Sequence, residues 1–243
     1  MQIDRETCQA ELAEHGLIPR KYHGQFFTVD KNVINTLVDT IKKMARPGTK
    51  IVEIGGGLGY ITEKLTEEFD DVDSLEVDEE MCSRLNKKFA HKKGLRILVQ
   101  DILKYPPPAK DYLLVGNIPF HITGQIYRRF MSDEKHKPYG MVFITDKQYA
   151  KTLMGQPPRC YRVSLQAQAY GDIEIIADVP RTSVYPEPKV MSCILKITHN
   201  PTPLPPNFWE VVNYHFDNFP TKEVKSPKTM SLEDWIKLSE KTK

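Results

Sequence analysis

The segment Gly116-Asn117-Ile118-Pro119-Phe120 gathers groups suited to handling a planar aromatic amine. Such an amine is a poor nucleophile, because its lone pair is delocalised into the ring. Two acceptors taking both of its hydrogens would favour a pyramidal nitrogen and release the lone pair. The side-chain oxygen of Asn117 is one acceptor, and the backbone carbonyl of Ile118 is another. Pro119 restricts Ile118 to extended backbone angles, which helps to aim that carbonyl. Phe120 offers a flat face on which a base swung out of its strand can stack. The scheme needs no strong base, since alignment of amine and electrophile is the main contribution. His121, beside Phe120, is a candidate proton acceptor, although such a histidine is more often a packing or hydrogen-bonding partner.

A second constellation lies upstream. Glu53-Ile-Gly55-Gly-Gly57-Leu-Gly59 sits between a strand pattern and a helix pattern, where glycines let the backbone approach a ligand closely. The helix start then offers N–H groups to an anionic group. Glu76 closes the next strand at the ~20-residue spacing expected of an acid that grips ribose hydroxyls, and Asp101 follows the third strand. A nicotinamide dehydrogenase would use the same first turn. Two details favour S-adenosylmethionine: Glu53 precedes the glycines, beside a cofactor end that carries an ammonium and a sulfonium, and acids recur where an adenosine would lie.

These groups need a sheet edge to hold them. Strand patterns run over Lys50–Ile54, 72–77, 95–99, 111–115 and 139–144, interleaved with helical spacings over Lys31–Met44, 60–69, 79–89 and 124–131. That alternation predicts an α/β domain with a mainly parallel sheet. Residues 161–170 fit helix or strand, 172–178 and 190–198 read as a late pair of strands, and the proline-rich run 199–206 reads as a linker. The tail, with Phe208, Trp209, Trp235 and Ile236, predicts one or two small helices. The domains expected are therefore 1–200 and a reduced helical region, 201–243.

The bulk properties agree with a globular chain: 243 residues, 40% hydrophobic, 27% charged, net charge +2. Any phosphate-binding surface must be a local patch. Cys8, Cys82, Cys160 and Cys193 are isolated, with no CxxC pair and no histidine cluster, so neither a zinc site nor a disulfide framework is expected. The N-terminus lacks a signal-peptide core, and no apolar run reaches membrane-span length. The expectations are a cytoplasmic monomer with no metal and no membrane partner.

With these motifs in order, the chain resembles the ribosomal RNA adenine dimethyltransferases, a family of small-subunit rRNA enzymes and macrolide-resistance enzymes acting on large-subunit rRNA. The likeness covers about residues 10–200. Gly24–Asp30 is similar to the family's GQNFLxD motif, Glu53–Gly59 to its EIGxGxG turn, Glu76 and Asp78 to its I-E-x-D segment, Asp101 to its Q-D element, Gly116–Phe120 to GNIPF, and Val184–Ser192 to FxPxPKVxS. The resemblance implies a Rossmann-like class I methyltransferase sheet with a short helical C-terminal appendage. It implies that Gln25, Gly55, Gly57 and Gly59 border the methionine part of S-adenosylmethionine. Glu76 would bind its ribose and Asp101 its adenine amine, while Asn117, Ile118, Pro119 and Phe120 would hold the target base. The implied reaction is N6 methylation of rRNA within a ribosomal subunit or precursor. Dimethylation of adjacent adenosines near the 3′ end of small-subunit rRNA ranks first, and the Glu11–Gly16 lead-in resembles an archaeal-type small-subunit enzyme.

Three departures stand out. Phe26 replaces the usual Asn or His, Val184 stands where the family has a Phe that packs on the target base, and the C-terminal region is short. Tyr185 or another aromatic could compensate for Val184. Arg20, Lys21, Arg128, Arg129 and Lys189 are the candidate RNA-phosphate contacts. The alternatives are a large-subunit rRNA methyltransferase, a DNA adenine methyltransferase, and a non-catalytic RNA-binding assembly factor of the same fold.

Overall fold

The structure is a computed structural model that describes residues 3–20, 24–132 and 137–242. It divides into two compact units, residues 1–147 with 174–196, and residues 148–173 with 197–243. The first begins with α1 (Arg5–Glu14), a helix the sequence reading did not foresee. Its hydrophobic spacing is weak, and it is set by an N-cap, with the Asp4 carboxylate accepting from the Thr7 N–H at 2.7 Å.

A two-residue strand, β1 (Phe27–Thr28), leads into α2 (Lys31–Met44). The Asp30 carboxylate caps α2, accepting from the Asn32 and Val33 N–H groups. Val33, Ile34, Leu37, Val38 and Ile41 recur at helical spacing and are all buried. They share one apolar core with Ile51, Leu113, Val115, Val142 and Ile144 of the sheet.

The sheet's strands alternate with helices: β2 (Lys50–Ile54), α3 (Tyr60–Glu68), β3 (Val72–Glu76), α4 (Glu79–Lys88), β4 (Leu95–Val99), β5 (Tyr112–Asn117), α5 (Thr123–Ser132) and β6 (Gly140–Asp146). After α6 (Lys147–Leu153) and α7 (Arg162–Tyr170) come β7 (Gly171–Val179), β8 (Val184–Tyr185) and β9 (Ser192–His199). Seven strands make one sheet in the order β4-β3-β2-β5-β6-β9-β7. The pairs β4–β3, β3–β2, β2–β5 and β5–β6 are parallel. The order reverses on either side of β2, so β2 and β5 flank the crevice where such sheets bind ligands. The two remaining strands pair separately, β1 antiparallel to β8, with Phe27 opposite Tyr185 and Thr28 opposite Val184.

Residues 161–170, ambiguous by pattern, are helical in α7. They belong with the tail helices α8 (Phe208–Asn218) and α9 (Leu232–Lys241) rather than with the main domain. The reason is packing: Cys160 and Leu165 share an apolar cluster with Phe208, Val212 and the fully buried Trp235. The expected division at residue 200 therefore differs from the one observed. All four cysteines are buried and free.

At the edge where β2, β3 and β4 begin, Asp73 is fully buried and accepts from Arg96 (2.7 and 2.6 Å), Tyr105 (2.6 Å) and Lys50 (2.9 Å). Burial alone would raise its carboxyl, but Arg96, Tyr105 and Lys50 outweigh it and hold the group below the usual range. Removing that carboxylate leaves the buried Lys50 ammonium with Asp71 as its remaining acid. Asp73→Ala is expected to cost about 3–5 kcal/mol, read as a lower urea midpoint; a loss under about 1 kcal/mol would show the network to be dispensable.

Candidate active site

A cavity of about 420 Å³ opens at the C-terminal ends of β2, β3 and β5. Its size falls in the range of roughly 300–1,000 Å³ common for small-molecule sites. The glycine turn, Glu76, Asp101, Asn117 and the first motif from Gly24 to Thr28 all border it. These segments are distant in sequence, and two contacts bring the outer ones together. The Asp30 carboxylate that caps α2 also accepts from the Ser183 hydroxyl at 2.7 Å, and the Val29 N–H donates to the Ser183 carbonyl at 2.8 Å. Gly24 lies against the proline of the Asn-Ile-Pro-Phe turn: a Cβ there would come within 2.7 Å of Pro119 and 3.1 Å of the His121 ring.

The turn after β2 lines the cavity with Gly55, Gly56 and Gly57. Gly55 has φ +76, and a Cβ on it would meet only the Asn117 carbonyl, at 3.6 Å, so its absence leaves the floor open. Gly59 is not on the wall; it is the N-cap of α3 and packs beneath Leu85 and Phe89. Glu53 is likewise absent from the wall. It is fully buried under the turn, where one carboxylate oxygen accepts from Thr62 and Ser74, both at 2.6 Å. This corrects the expectation of direct contact with a ligand, because β2 turns the side chain toward α3 and β3. Burial pushes the Glu53 carboxyl up to about 7, against the pull of the Ser74 and Thr62 hydroxyls, and Glu76 adds to the rise.

Glu76 is held rigidly at the cavity edge. Its carboxylate accepts from the N–H groups of Gly57 (2.9 Å), Val77 (2.9 Å) and Asp78 (3.0 Å). Burial still raises its carboxyl above the ordinary range. A carboxylate has about four lone-pair positions, so one remains for a ligand hydroxyl. Asp101 is fixed through one oxygen by the Leu103 N–H at 2.9 Å. Gln25 borders the cavity, but both ends of its amide are engaged. Its nitrogen donates to Asp78 at 3.0 Å and its oxygen accepts from the Arg20 N–H at 2.7 Å.

Asn117 ends β5. Its amide nitrogen donates to the Phe26 carbonyl at 2.7 Å. A peptide carbonyl can only accept, so this bond fixes which end of the amide is which and leaves the oxygen as the available acceptor. Ile118 has a buried side chain and donates its N–H to the Ile144 carbonyl at 3.1 Å. Pro119 has φ −61 and ψ 123 and opens the short turn that carries Phe120 and His121. The Phe120 ring stacks on Phe26, with centroids 5.6 Å apart and planes at 17°; of the motif, Asn117 and Pro119 border the cavity, whereas Ile118 and Phe120 lie behind its wall.

The predicted phosphate contacts fare unequally. Arg20 is paired with Asp78 (3.2 Å) and Glu80 (3.9 Å), and Arg129 donates to the Tyr105 carbonyl, so both are spent on the fold. Arg128 and Lys189 are exposed. Lys21 lies outside the described residues. Val184 is 1% exposed and paired in β8, and Tyr185 lies under Arg5 (5.8 Å), so neither meets the cavity. Sequence reasoning missed Thr28, whose buried hydroxyl borders the cavity and has no partner among the described residues. A lone hydroxyl between Phe27 and Val29 was the available signal. Phe26 was noticed only as a departure, not as the anchor of Asn117.

The set fits an adenosine-bearing cofactor. Glu76 and Asp101 are separate acceptors along one edge, the glycine floor is open, and the Thr28 hydroxyl on the wall has no partner among the described residues. Among the described residues, no three His, Cys, Asp or Glu are grouped to hold a metal ion. Among the described residues, no helix is long and apolar enough to cross a membrane.

Comparisons with known proteins bear on the family and the fold. A family model for ribosomal RNA adenine dimethylases matches residues 18–226. The ribosomal RNA small subunit methyltransferase A of Dehalococcoides mccartyi is 32% identical over 183 residues, covering 73% of this chain and 62% of the relative. The protein of the same name from a Synechococcus species is 32% identical over 197 residues, covering 77% and 70%. The chain thus spans about 62% of the length of the first curated relatives it matches. Among solved structures, the 23S rRNA methyltransferase ErmE superposes with a TM-score of 0.72 at 22% identity, covering 88% of this chain and 98% of that one. A dimethyladenosine transferase from Plasmodium falciparum gives 0.64 at 22% identity, covering 70% and 62%. Both show the same Rossmann-like methyltransferase fold.

The buried acid under the turn yields a test. Between pH 4.5 and about 7 the folded protein keeps a proton on Glu53 that the unfolded chain has lost. The stability this proton contributes is complete below the lower value and is lost as pH rises through the upper one. In Glu53→Gln that slope should vanish. Relative to the variant, the wild type should lose up to about 3 kcal/mol across the window, at 1.36 kcal/mol per unit. Urea melts of both proteins at several pH values would measure it, and a constant difference would mean that Glu53 ionises like an exposed acid.

Proposed function

The chain belongs to the ribosomal RNA adenine dimethylase family, and from that membership we propose that it transfers methyl groups from S-adenosylmethionine to N6 of adenine in ribosomal RNA. The substrate we favour is a pair of adjacent adenosines near the 3′ end of small-subunit rRNA, each taking two methyls in succession. The relatives named as small-subunit methyltransferases support this choice. The single observation that carries the chemistry is the bond from the Asn117 amide nitrogen to the Phe26 carbonyl, which turns the amide oxygen into the acceptor for the substrate amine.

When bound, the cofactor supplies an electrophilic methyl on a sulfonium. The protein's part is to hold and align. Glu76, fixed by three backbone N–H groups, would accept from the ribose, and Asp101 from the cofactor's adenine amine. Thr28 offers its unpartnered hydroxyl to the polar end. Glu53 acts from beneath by holding the turn, through Thr62 and Ser74. Asn117 Oδ1 and the Ile118 carbonyl would each take one amine hydrogen, directing the nitrogen lone pair at the methyl. The surplus proton of the methylated amine would leave to water. Alignment of this kind converts an encounter into a near-unimolecular step. Arg128 and Lys189 are the exposed cations we assign to RNA phosphates.

Asn117→Ala is expected to lower kcat by at least about 100-fold, the scale of losing one preorganised polar group. Its affinity for S-adenosylhomocysteine should stay within about two-fold by calorimetry. Wild-type turnover in that variant would remove Asn117 from the mechanism. Glu76→Ala should weaken cofactor binding by about 10-fold or more, since it removes the acceptor expected to hold the ribose; unchanged binding would refute the ribose role. Mass spectrometry of small-subunit particles and stripped large-subunit rRNA after incubation with the enzyme would identify the substrate. Label appearing only in the large-subunit RNA would reassign it.

A further inference from the structure

Phe26 does more than anchor Asn117. Its ring stacks on Phe120 at 5.6 Å and 17°, its carbonyl binds the amide that would grip the substrate, and it borders the cavity. It is half-buried, whereas the next residue, Phe27, is 6% exposed and belongs to the core. Asn117 and Phe26 are joined by that bond and both border the cavity, so a purine whose amine reached Asn117 would lie beside the Phe26 ring. The last motif offers no such ring among the described residues: Val184 is aliphatic and buried in β8, and Tyr185 lies under Arg5 outside the cavity.

We propose that Phe26 is a base-binding residue: its ring borders the cavity, is backed by the stacked ring of Phe120, and presents the face on which the target adenine stacks. This rests on the methyl-transfer reading for its substrate, and it adds a contact from the first motif to those from the Asn-Ile-Pro-Phe turn. Residue 26 is therefore bifunctional. The backbone orients the amide, and the ring receives the base. Because the two roles use different atoms, side-chain substitution separates them, and every variant keeps the carbonyl that holds Asn117.

The test compares Phe26→Leu, which keeps apolar bulk but has no flat face, with Phe26→Tyr, which keeps the face. With small-subunit particles as substrate, the Leu variant should lose about 5- to 150-fold in kcat/KM, the range for one base–aromatic stack. The loss should lie mainly in KM for RNA. Its affinity for S-adenosylhomocysteine and its Tm should match wild type, and the Tyr variant should stay within about three-fold throughout. A Leu variant with wild-type kcat/KM, or one that loses cofactor affinity in proportion, overturns the proposal. A second measurement needs no turnover. A short single-stranded RNA carrying one 2-aminopurine should change fluorescence on binding wild type and the Tyr variant in the presence of S-adenosylhomocysteine, and not on binding the Leu variant. A Phe26-dependent signal in a protein that methylates neither rRNA would uphold the base site and sink the catalytic reading. Equal signals from Phe and Leu would sink the base site alone.

Discussion

An amide nitrogen can only donate, and a peptide carbonyl can only accept. The site depends on that asymmetry, through the bond between Asn117 and Phe26. Without it the Asn117 side chain could rotate and present either end to a ligand. With it, the oxygen is committed before any substrate arrives, which is the preorganisation that makes a polar group effective in a reacting site. The constraint also explains why the first motif must lie where it does. Gly24, Phe26 and Thr28 cross the end of the sheet so that a carbonyl from one chain segment can discipline a side chain from another.

Two acids at opposite ends of the strands show how the same sheet uses charge differently. Asp73 is surrounded by donors, so it stays ionised and ties three strands together. Among the described residues, Glu53 has two hydroxyls on one oxygen and no partner on the other, so burial dominates and its proton is held toward neutral pH. The first arrangement stabilises the frame. The second places a responsive group beneath the floor of the cavity, one that a nearby positive charge would push back toward ionisation.

Much of this could be read from the residues. The helix over Lys31–Met44 and the strands at Lys50–Ile54 and Leu95–Val99 follow from periodicity and turn chemistry, because their apolar faces are regular and their ends are marked by Asp30, the glycines and Pro47. The C-terminal ends of β2, β3 and β5 could be named as the site because strand order and acids converge there. What the residues did not disclose was direction and partnership. Glu53 reads as a ligand contact until the pleat of β2 is seen to bury it. Arg20 and Arg129 read as RNA contacts until Asp78 and the Tyr105 carbonyl are seen to claim them. Residues 148–173 read as part of the main domain, because an apolar patch on α7 does not reveal which of several cores it will join.

The bond between the Asp30 carboxylate and the Ser183 hydroxyl spans 153 positions of sequence, and β1 depends on β8 for its pairing. A nascent chain leaving the ribosome N-terminus first can pack α2 on the parallel strands once β5 and β6 have emerged, because Leu113, Val115, Val142 and Ile144 complete that core. The wall formed by Phe27 and Thr28 has to wait for its pairing partner in β8. Newly made protein thus carries a glycine turn and an asparagine long before it carries an enclosed pocket, and competence for chemistry is among the last properties the polypeptide acquires during synthesis.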